Sequence, residues 1–255
     1  MKTKNLLGIF FLFLCTITLV SCGDDEKQEI YSLSFEKGYY ERPLLGAKNI
    51  PVRGGNRDYT VTVQNTDVLS INIDLSSPIG MGNLVVKPKQ KGETTVTDKD
   101  NVTNETVNLK IKIVDSYLNL KVAHPAQVPY SGGENLFFIN NSDRDFYLFD
   151  EKMEKKECTG NYQFLIKNST CYMILNFDKE LNDKSTYEYN ISNTSERMFT
   201  LIEILLGVDW NMKADLINRS TRSASPVIMN AVDTETNLTQ YFVAGSNDIP
   251  ENILD

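Results

Sequence analysis

The chain has 255 residues, with 34 Asp and Glu against 26 Lys and Arg, for a formal net charge of −8. This acidic balance argues against a nucleic-acid binder, which needs a basic face to neutralise phosphate, and against non-specific docking on anionic lipid. A hydrophobic fraction of 41%, with 12 Tyr and 12 Phe, is enough to build a core and excludes a disordered chain.

The N-terminus reads in three parts. Lys2 and Lys4 form a short positive region, and Leu6 to Val20 is an apolar run broken only by Gly8, Thr16 and Thr18. A membrane-crossing helix needs about 20 apolar residues, so this shorter run predicts the hydrophobic region of a signal peptide. It ends in Leu19-Val20-Ser21-Cys22, which resembles the bacterial lipobox, Leu-x-[Ala/Ser/Gly]-Cys, at all four positions. The resemblance implies cleavage before Cys22, acylation of its thiol and amine, and a lipid bilayer as partner. Two or more acyl chains anchor stably, because each buried CH₂ contributes ~0.8 kcal/mol. Asp24, Asp25 and Glu26 follow at once. They resemble the export tag of outer-membrane lipoproteins in Gram-negative gut anaerobes, which implies outer-membrane localisation and display at the cell surface. A plain solvated tether is the alternative reading of these acids.

Residues 58–114 carry period-two alternation. "DYTVTVQ" sets Tyr59, Val61 and Val63 on one face; "DVLSINIDL" sets Leu69, Ile71 and Ile73; "ETVNLKIKIVD" sets Val107, Leu109, Ile111 and Ile113 against Lys110 and Lys112. "NLVVKPK" and "ETTVTD" supply two more short runs, and Gly-, Asn- and Asp-rich turns intervene. The pattern predicts half-buried strands of an antiparallel β-sandwich. "QNTDVLSINID", "KGETTVTD" and "TVNLKIKIVD" together resemble a bacterial immunoglobulin-like domain of group 2 type. That family's members act as spacers, adhesion modules or weak binding modules. One position departs from its pattern: after Val96 and Thr97 the family places an apolar residue, and here stands Asp98, which puts the end of that strand in question.

His124-Pro125 and Val128-Pro129 mark a joint. "IPVRGG" followed by "NTD" in the first half is echoed by "VPYSGG" and "NSD" in the second, as a weak repeat or as two uses of common turns. Beyond the joint, "ENLFFIN", "DFYLFD", "NYQFLIK", "CYMILNF", "TYEYNIS", "SPVIMNAVD" and "LTQYFVAG" predict further strands. Asn193 with Glu196 fits a variant capping box and Gly207 a C-terminal stop, predicting a short helix over 194–206, with a buried strand as the alternative. The expected fold is therefore mainly β, with two antiparallel β-sandwich-like domains, the second carrying one short helix. The expected division is 1–21 signal peptide, 22–30 acidic tether, 31–116 immunoglobulin-like sandwich, and 117–255 a β-rich domain of no recognised family.

Chemistry is sparse. His124 is the single histidine, at the joint, and reads as a linker or interface residue. The sequence has no Gly-x-Ser-x-Gly elbow, P-loop, dinucleotide fingerprint or His-Glu-x-x-His motif, so no catalytic residue, metal ligand or cofactor is assigned and an enzyme is not expected. Asp98-Lys99-Asp100-Asn101 and Asp143-Arg144-Asp145 set carboxylates at i and i+2, one way to begin a calcium site, but each carries a cation and reads better as a solvated turn. Cys158 and Cys171 are the candidate disulfide pair. A hairpin about Asn168-Ser169-Thr170 would set Cys171 opposite a residue near Lys167, so a bridge requires Cys158 to return from another direction. Trp210, the single tryptophan, lies in the polar stretch "GVDWNMKAD" and is the candidate for stacking on a glycan, with core packing as the alternative; Tyr39-Tyr40, Tyr187 and Tyr189 are lesser candidates. The expected function is a surface-anchored binding module for glycan or nutrient capture with the immunoglobulin-like domain as spacer; the alternative is a cell-surface adhesion or assembly protein that binds protein partners, and the third and weakest reading is a glycoside hydrolase-like enzyme working through a carboxylate pair that the sequence does not single out.

Overall fold

The computed structural model describes residues 29–210 and 227–254, and the side chains of 155–157 are not considered. Cys22, Asp24, Asp25 and Glu26 lie outside the described residues. The protein is mainly β, with one helix among the described residues.

The first unit holds β1 (Tyr39–Pro43), β2 (Ile50–Pro51), β3 (Tyr59–Val63), β4 (Leu69–Asp74), β5 (Asn83–Pro88), β6 (Gly92–Asp100) and β7 (Thr106–Val114). They form a four-stranded sheet ordered β1-β7-β6-β3 and a three-stranded sheet ordered β2-β5-β4. The two sheets share one core. Ile50, Leu69, Leu84 and Val86 come from the smaller sheet and Tyr40, Val96, Leu109, Ile111 and Ile113 from the larger. Alternation makes this possible: along β7 Leu109, Ile111 and Ile113 point inward while Lys110 and Lys112 point out. One pairing departs from the antiparallel expectation, since β1 runs parallel to β7, Tyr39 opposite Lys110. No hairpin links these distant strands, so nothing local fixes their direction, and Pro43 is tolerated because β1 is an edge.

β6 also departs from the reading of its end. The strand does not stop at Thr97. It continues to Asp100, and Asp98 takes the inward position where the immunoglobulin-like pattern has an apolar residue. Asp98 and Asp100 are both 0% exposed, so the expected solvated turn is a buried strand end. Burial first, and the charge of Asp100 second, push the Asp98 carboxyl up to about 6.

The second unit is β8 (Tyr117–Val122), β9 (Asn135–Ile139), β10 (Asp145–Phe149), β11 (Lys155–Lys167), β12 (Thr170–Phe177), β13 (Thr186–Asn190), β14 (Ile228–Asp233) and β15 (Thr239–Ala244), with helix α1 (Glu196–Leu206). It is a closed barrel, not a sandwich: β15 returns to β8, with Phe242 opposite Val122, and every pairing is antiparallel. Period two produces one apolar face in either architecture, so closure rests on this long-range seam. The interior is filled. Leu118, Leu120, Phe138, Phe146, Tyr162, Met173, Leu175, Tyr189, Met229 and Phe242 are buried together. Apolar residues point in and many outward positions are polar, the reverse of a porin-type barrel.

Each end of the barrel is stoppered. At one end sits α1, whose Met198, Phe199, Ile202 and Leu206 join the barrel core. Its N-cap is Ser195, whose hydroxyl donates to the Ile228 carbonyl, so the expected Asn193 capping box does not form. Gly207 ends it in the left-handed region (φ 63°), its N–H donating to the Glu203 carbonyl, as expected. At the other end the 123–133 loop folds in: Tyr130 packs edge-on against Phe242, and the Gln127 N–H donates to the Gln240 side chain at 2.7 Å.

A third apolar cluster lies outside the barrel, at the joint. Ile249 and Leu254 of the C-terminal segment pack with Val114 of β7 and with the outward residues Phe137, Ile139 and Phe149. Phe137 and Phe149 meet edge-on at 5.5 Å between ring centres.

Candidate ligand-binding site

Between the outer faces of β8, β9 and β15 and the segment that follows β15 lies an open cleft of about 440 Å³. The antiparallel seam builds its back wall, with Val243 opposite Lys121. Lys121, His124, Ser246 and Asn247 bring polar groups to it, and Val243 an apolar surface.

Three asparagines organise its floor. Asn119 and Asn135 point outward from their strands, yet are buried beneath residues 245–247. The Asn135 side-chain oxygen accepts from Asn247 Nδ2 at 2.9 Å and from Asn119 Nδ2 at 3.4 Å. The Asn119 side-chain oxygen accepts from the Asn247 backbone N–H at 3.2 Å. Each strand asparagine thus accepts from the C-terminal segment through its side-chain oxygen, while Asn119 Nδ2 also donates to the Leu136 carbonyl and Asn135 Nδ2 to the Gly133 and Asp150 carbonyls; such mutual satisfaction is what makes a buried polar network tolerable. Gly245 is required where the segment crosses: a Cβ there would sit 1.8 Å from the Asn119 side-chain oxygen. Its N–H donates to the Asn119 carbonyl at 2.9 Å.

At the rim, Lys121 contacts Glu151 at 3.5 Å, but the two side chains are 47% and 68% exposed. Such a pair contributes ~0–1 kcal/mol and exchanges readily for a ligand. Tyr241 precedes Val243 by two residues on the same outward face of β15 and is 44% exposed. An exposed aromatic ring beside a rigid polar cleft can cover an apolar sugar face while amides, ammonium and hydroxyl meet its oxygens. No group of three or more His, Cys, Asp or Glu among the described residues is placed to hold a metal ion.

Of the residues singled out in the sequence, His124 reaches the cleft and the other described ones fall elsewhere. Trp210 is not a platform. It is 5% exposed, donates its indole N–H to the Phe199 carbonyl at 3.2 Å, and packs edge-on against Phe199 and Phe164. The polar stretch around it is local; the ring itself folds back onto α1. No disulfide joins Cys158 and Cys171. Asn168 and Ser169 form a two-residue turn with positive φ at both positions, which sets Cys171 opposite Ile166, far along β11 from Cys158. Tyr187 and Tyr189 lie inside the barrel, and Tyr40 in the first core. The Asp143–Asp145 turn is structural: Arg144 donates to Asn140 and to the Leu206 carbonyl, and Asp145 accepts from Asn141. His124 lines the cleft. Sequence reasoning missed Asn119, Asn135, Asn247 and Tyr241. Its one available signal was asparagine, a poor strand former, inside the apolar runs "YLNLKV" and "ENLFFI".

No protein-family model and no curated protein matches the chain. Two solved structures of the surface-layer protein SbsC show a distant likeness. Domains 5–6 are 12% identical, with 64% of this chain and 90% of that one covered at a TM-score of 0.28. Domains 4–9 are 11% identical, with 85% of this chain and 31% of that one covered at a TM-score of 0.29. At such scores the likeness carries no conclusion about fold or function.

Proposed function

We propose that the protein is a lipid-anchored, surface-displayed binding module of the outer membrane that captures a glycan in the cleft beside Tyr241. The lipobox at Cys22 and the acids Asp24, Asp25 and Glu26 support the anchor and the display. The two sheets of the first unit, with the sequence motifs of β4, β6 and β7, support its reading as an immunoglobulin-like spacer. The observation that carries the binding role is the cleft itself, with polar side chains from β8, β9, the loop after β8 and the tail beside one exposed aromatic ring on β15. The barrel interior is packed with side chains, which directs any ligand to the outside.

Affinity electrophoresis of residues 23–255 against a polysaccharide panel tests this, with Tyr241→Ala and Lys121→Ala alongside. Retardation by at least one polysaccharide, weakened about tenfold or more in Tyr241→Ala, is the expected result; a tenfold loss is ~1.4 kcal/mol. Retardation unchanged in both variants would place the site elsewhere, and none from any polysaccharide would remove the glycan reading for that panel. Adhesion to a protein is the second reading. It is favoured by the open edges of the first unit, where β3 and β4 each pair on one side only.

A further inference from the structure

Exposed apolar side chains collect at the pole of the first unit from which the chain leads back to Cys22. The segment 29–34, the turn before β3, the β4–β5 loop and the β6–β7 turn meet there. The Asn56 side chain donates to the Tyr31 carbonyl at 2.9 Å and to Asp100 at 2.8 Å, and Arg57 donates to the carbonyls of Leu75, Ser77 and Gly80. Nine large apolar side chains are exposed among the described residues, and four of them, Ile30, Tyr31, Ile79 and Val102, belong to these segments. Single exposed apolar residues are ordinary, but a group of four at one pole marks a contact surface.

The surface is held in shape. Ile79, 86% exposed, stands at the tip of the β4–β5 loop that the three Arg57 contacts brace, and its N–H donates to the Ser77 hydroxyl at 3.3 Å. The backbone of Tyr31 is fixed by Asn56, whose side-chain oxygen accepts from the Tyr31 N–H at 3.0 Å. The carboxylates at this pole include Asp58, Asp74 and Glu105, which accept from the Asn101 side chain, the Ser76 N–H and the Leu33 N–H at 2.8, 2.9 and 2.8 Å. Their charge opposes an anionic surface, so the partner this pole fits is apolar and without net negative charge.

We infer that this pole seats on the zwitterionic interface of the bilayer that holds Cys22, with Ile79 and Val102 at the acyl boundary and the Tyr31 ring at headgroup level. The inference rests on the lipid anchor proposed above and adds a second contact to it. Glu29 stands seven residues after Cys22, so even a fully extended tether keeps the pole within ~25 Å of the anchor. Over so short a link the local concentration is on the order of millimolar, and a contact too weak to hold a free protein is populated. The opposite pole carries the barrel. β7 runs nine residues between the two, which is about 30 Å of strand. Seated this way, the first unit stands as a post that lifts the glycan cleft clear of the bilayer.

The test uses the full-length protein made in a Gram-negative bacterium and purified with Cys22 as the cell leaves it. Mass spectrometry reads the acylation of Cys22. The protein is then placed in vesicles of phosphatidylcholine and phosphatidylethanolamine, with or without bromine on the acyl chains as a short-range quencher of tryptophan. Trp210 is buried in the barrel and serves as the internal reference. Ile79→Trp adds an indole at the pole, and Thr66→Trp adds one in the β3–β4 turn at the opposite pole; both replace exposed side chains, so the fold is kept. On brominated lipid the emission of Ile79→Trp should fall toward the level of the parent, while the parent and Thr66→Trp keep theirs. Acylated, vesicle-bound protein in which Ile79→Trp keeps its emission overturns the seat and leaves the anchor standing. An equal loss from Thr66→Trp overturns the upright post. An unmodified Cys22 removes the anchor, and the inference with it.

Discussion

Replacing Trp210 with alanine tests whether this residue is core or contact. The ring is 5% exposed, lies 4.9 Å from Phe199 and 5.7 Å from Phe164 between centroids, and donates one hydrogen bond of 3.2 Å. Truncating a buried Trp costs ~3–5 kcal/mol through lost transfer energy and the cavity left behind. The hydrogen bond, at ~1 kcal/mol, and the two edge-on ring contacts place Trp210→Ala in the upper half of that range. Against a total stability of ~5–15 kcal/mol this is a large fraction. Urea unfolding followed by far-ultraviolet circular dichroism measures it, because the variant lacks the only tryptophan that fluorescence would report. With a slope near ~3 kcal/mol/M, the midpoint should fall by about 1.5 M. Trp210→Phe keeps an aromatic ring in the site and loses the indole N–H, and should cost ~1–2 kcal/mol. A Trp210→Ala midpoint within about 0.3 M of the parent would refute the argument, since a ring that costs ~1 kcal/mol or less to remove is not holding the α1 end of the barrel closed.

Two further perturbations follow from the same contacts. Ile249 is 5% exposed in the cluster at the joint, so Ile249→Asp sets an unpaired carboxylate there. It should release residues 245–254, seen as accelerated hydrogen exchange over that segment and over Asn119 and Asn135. Asp233 is 6% exposed, and burial works against its charge. The backbone N–H groups of Thr236 and Glu235 and the Thr236 hydroxyl outweigh that cost and hold its carboxyl below the usual range. A lowered folded value means that the stabilisation is present above the unfolded value of ~3.9 and is lost as pH falls below it. The gap in urea midpoint between the parent and Asp233→Asn should therefore be open at neutral pH and close on acidification, and a gap independent of pH would contradict the assignment.

The strands were legible because alternation is local. "CYMILNF" dictates Cys171, Met173, Leu175 and Phe177 on one face, and the structure buries those four. The closure of the barrel was not legible, because it rests on a seam between Val122 and Phe242 that no short-range pattern encodes. β2, two residues long and ending in Pro51, carries no periodicity at all. Asp98 and Trp210 misled for one shared reason. Each sits among polar neighbours in sequence, and burial was read from those neighbours. In the fold, Asp98 continues a strand inward and Trp210 turns back onto a helix that ends four residues before it. The asparagines of the cleft come from three separate segments, so only their oddity inside apolar runs was on view.

The C-terminal segment joins the two halves of this molecule. β7 and β8 are separated only by Asp115 and Ser116, and Ser116 accepts from the Leu45 N–H at 3.0 Å, so the covalent link is short and tied back to the first unit. The segment after β15 then crosses to that unit: Lys112 Nζ donates to the Leu254 carbonyl at 2.8 Å, and the Asn252 N–H donates to Glu41 at 3.1 Å. Its exposed ion pairs with Lys37 and Lys48 contribute little, while the burial of Ile249 and Leu254 contributes most, at ~1.5–3 kcal/mol per side chain. Domains on a flexible linker move by default, but a joint with a short connection, a returning strap and its own apolar cluster resists bending. The same strap supplies Gly245, Ser246 and Asn247 to the cleft. A ligand seated against Ser246 and Asn247 therefore bears on the segment that holds the two units together, and any change that loosens the joint also takes away one wall of the site.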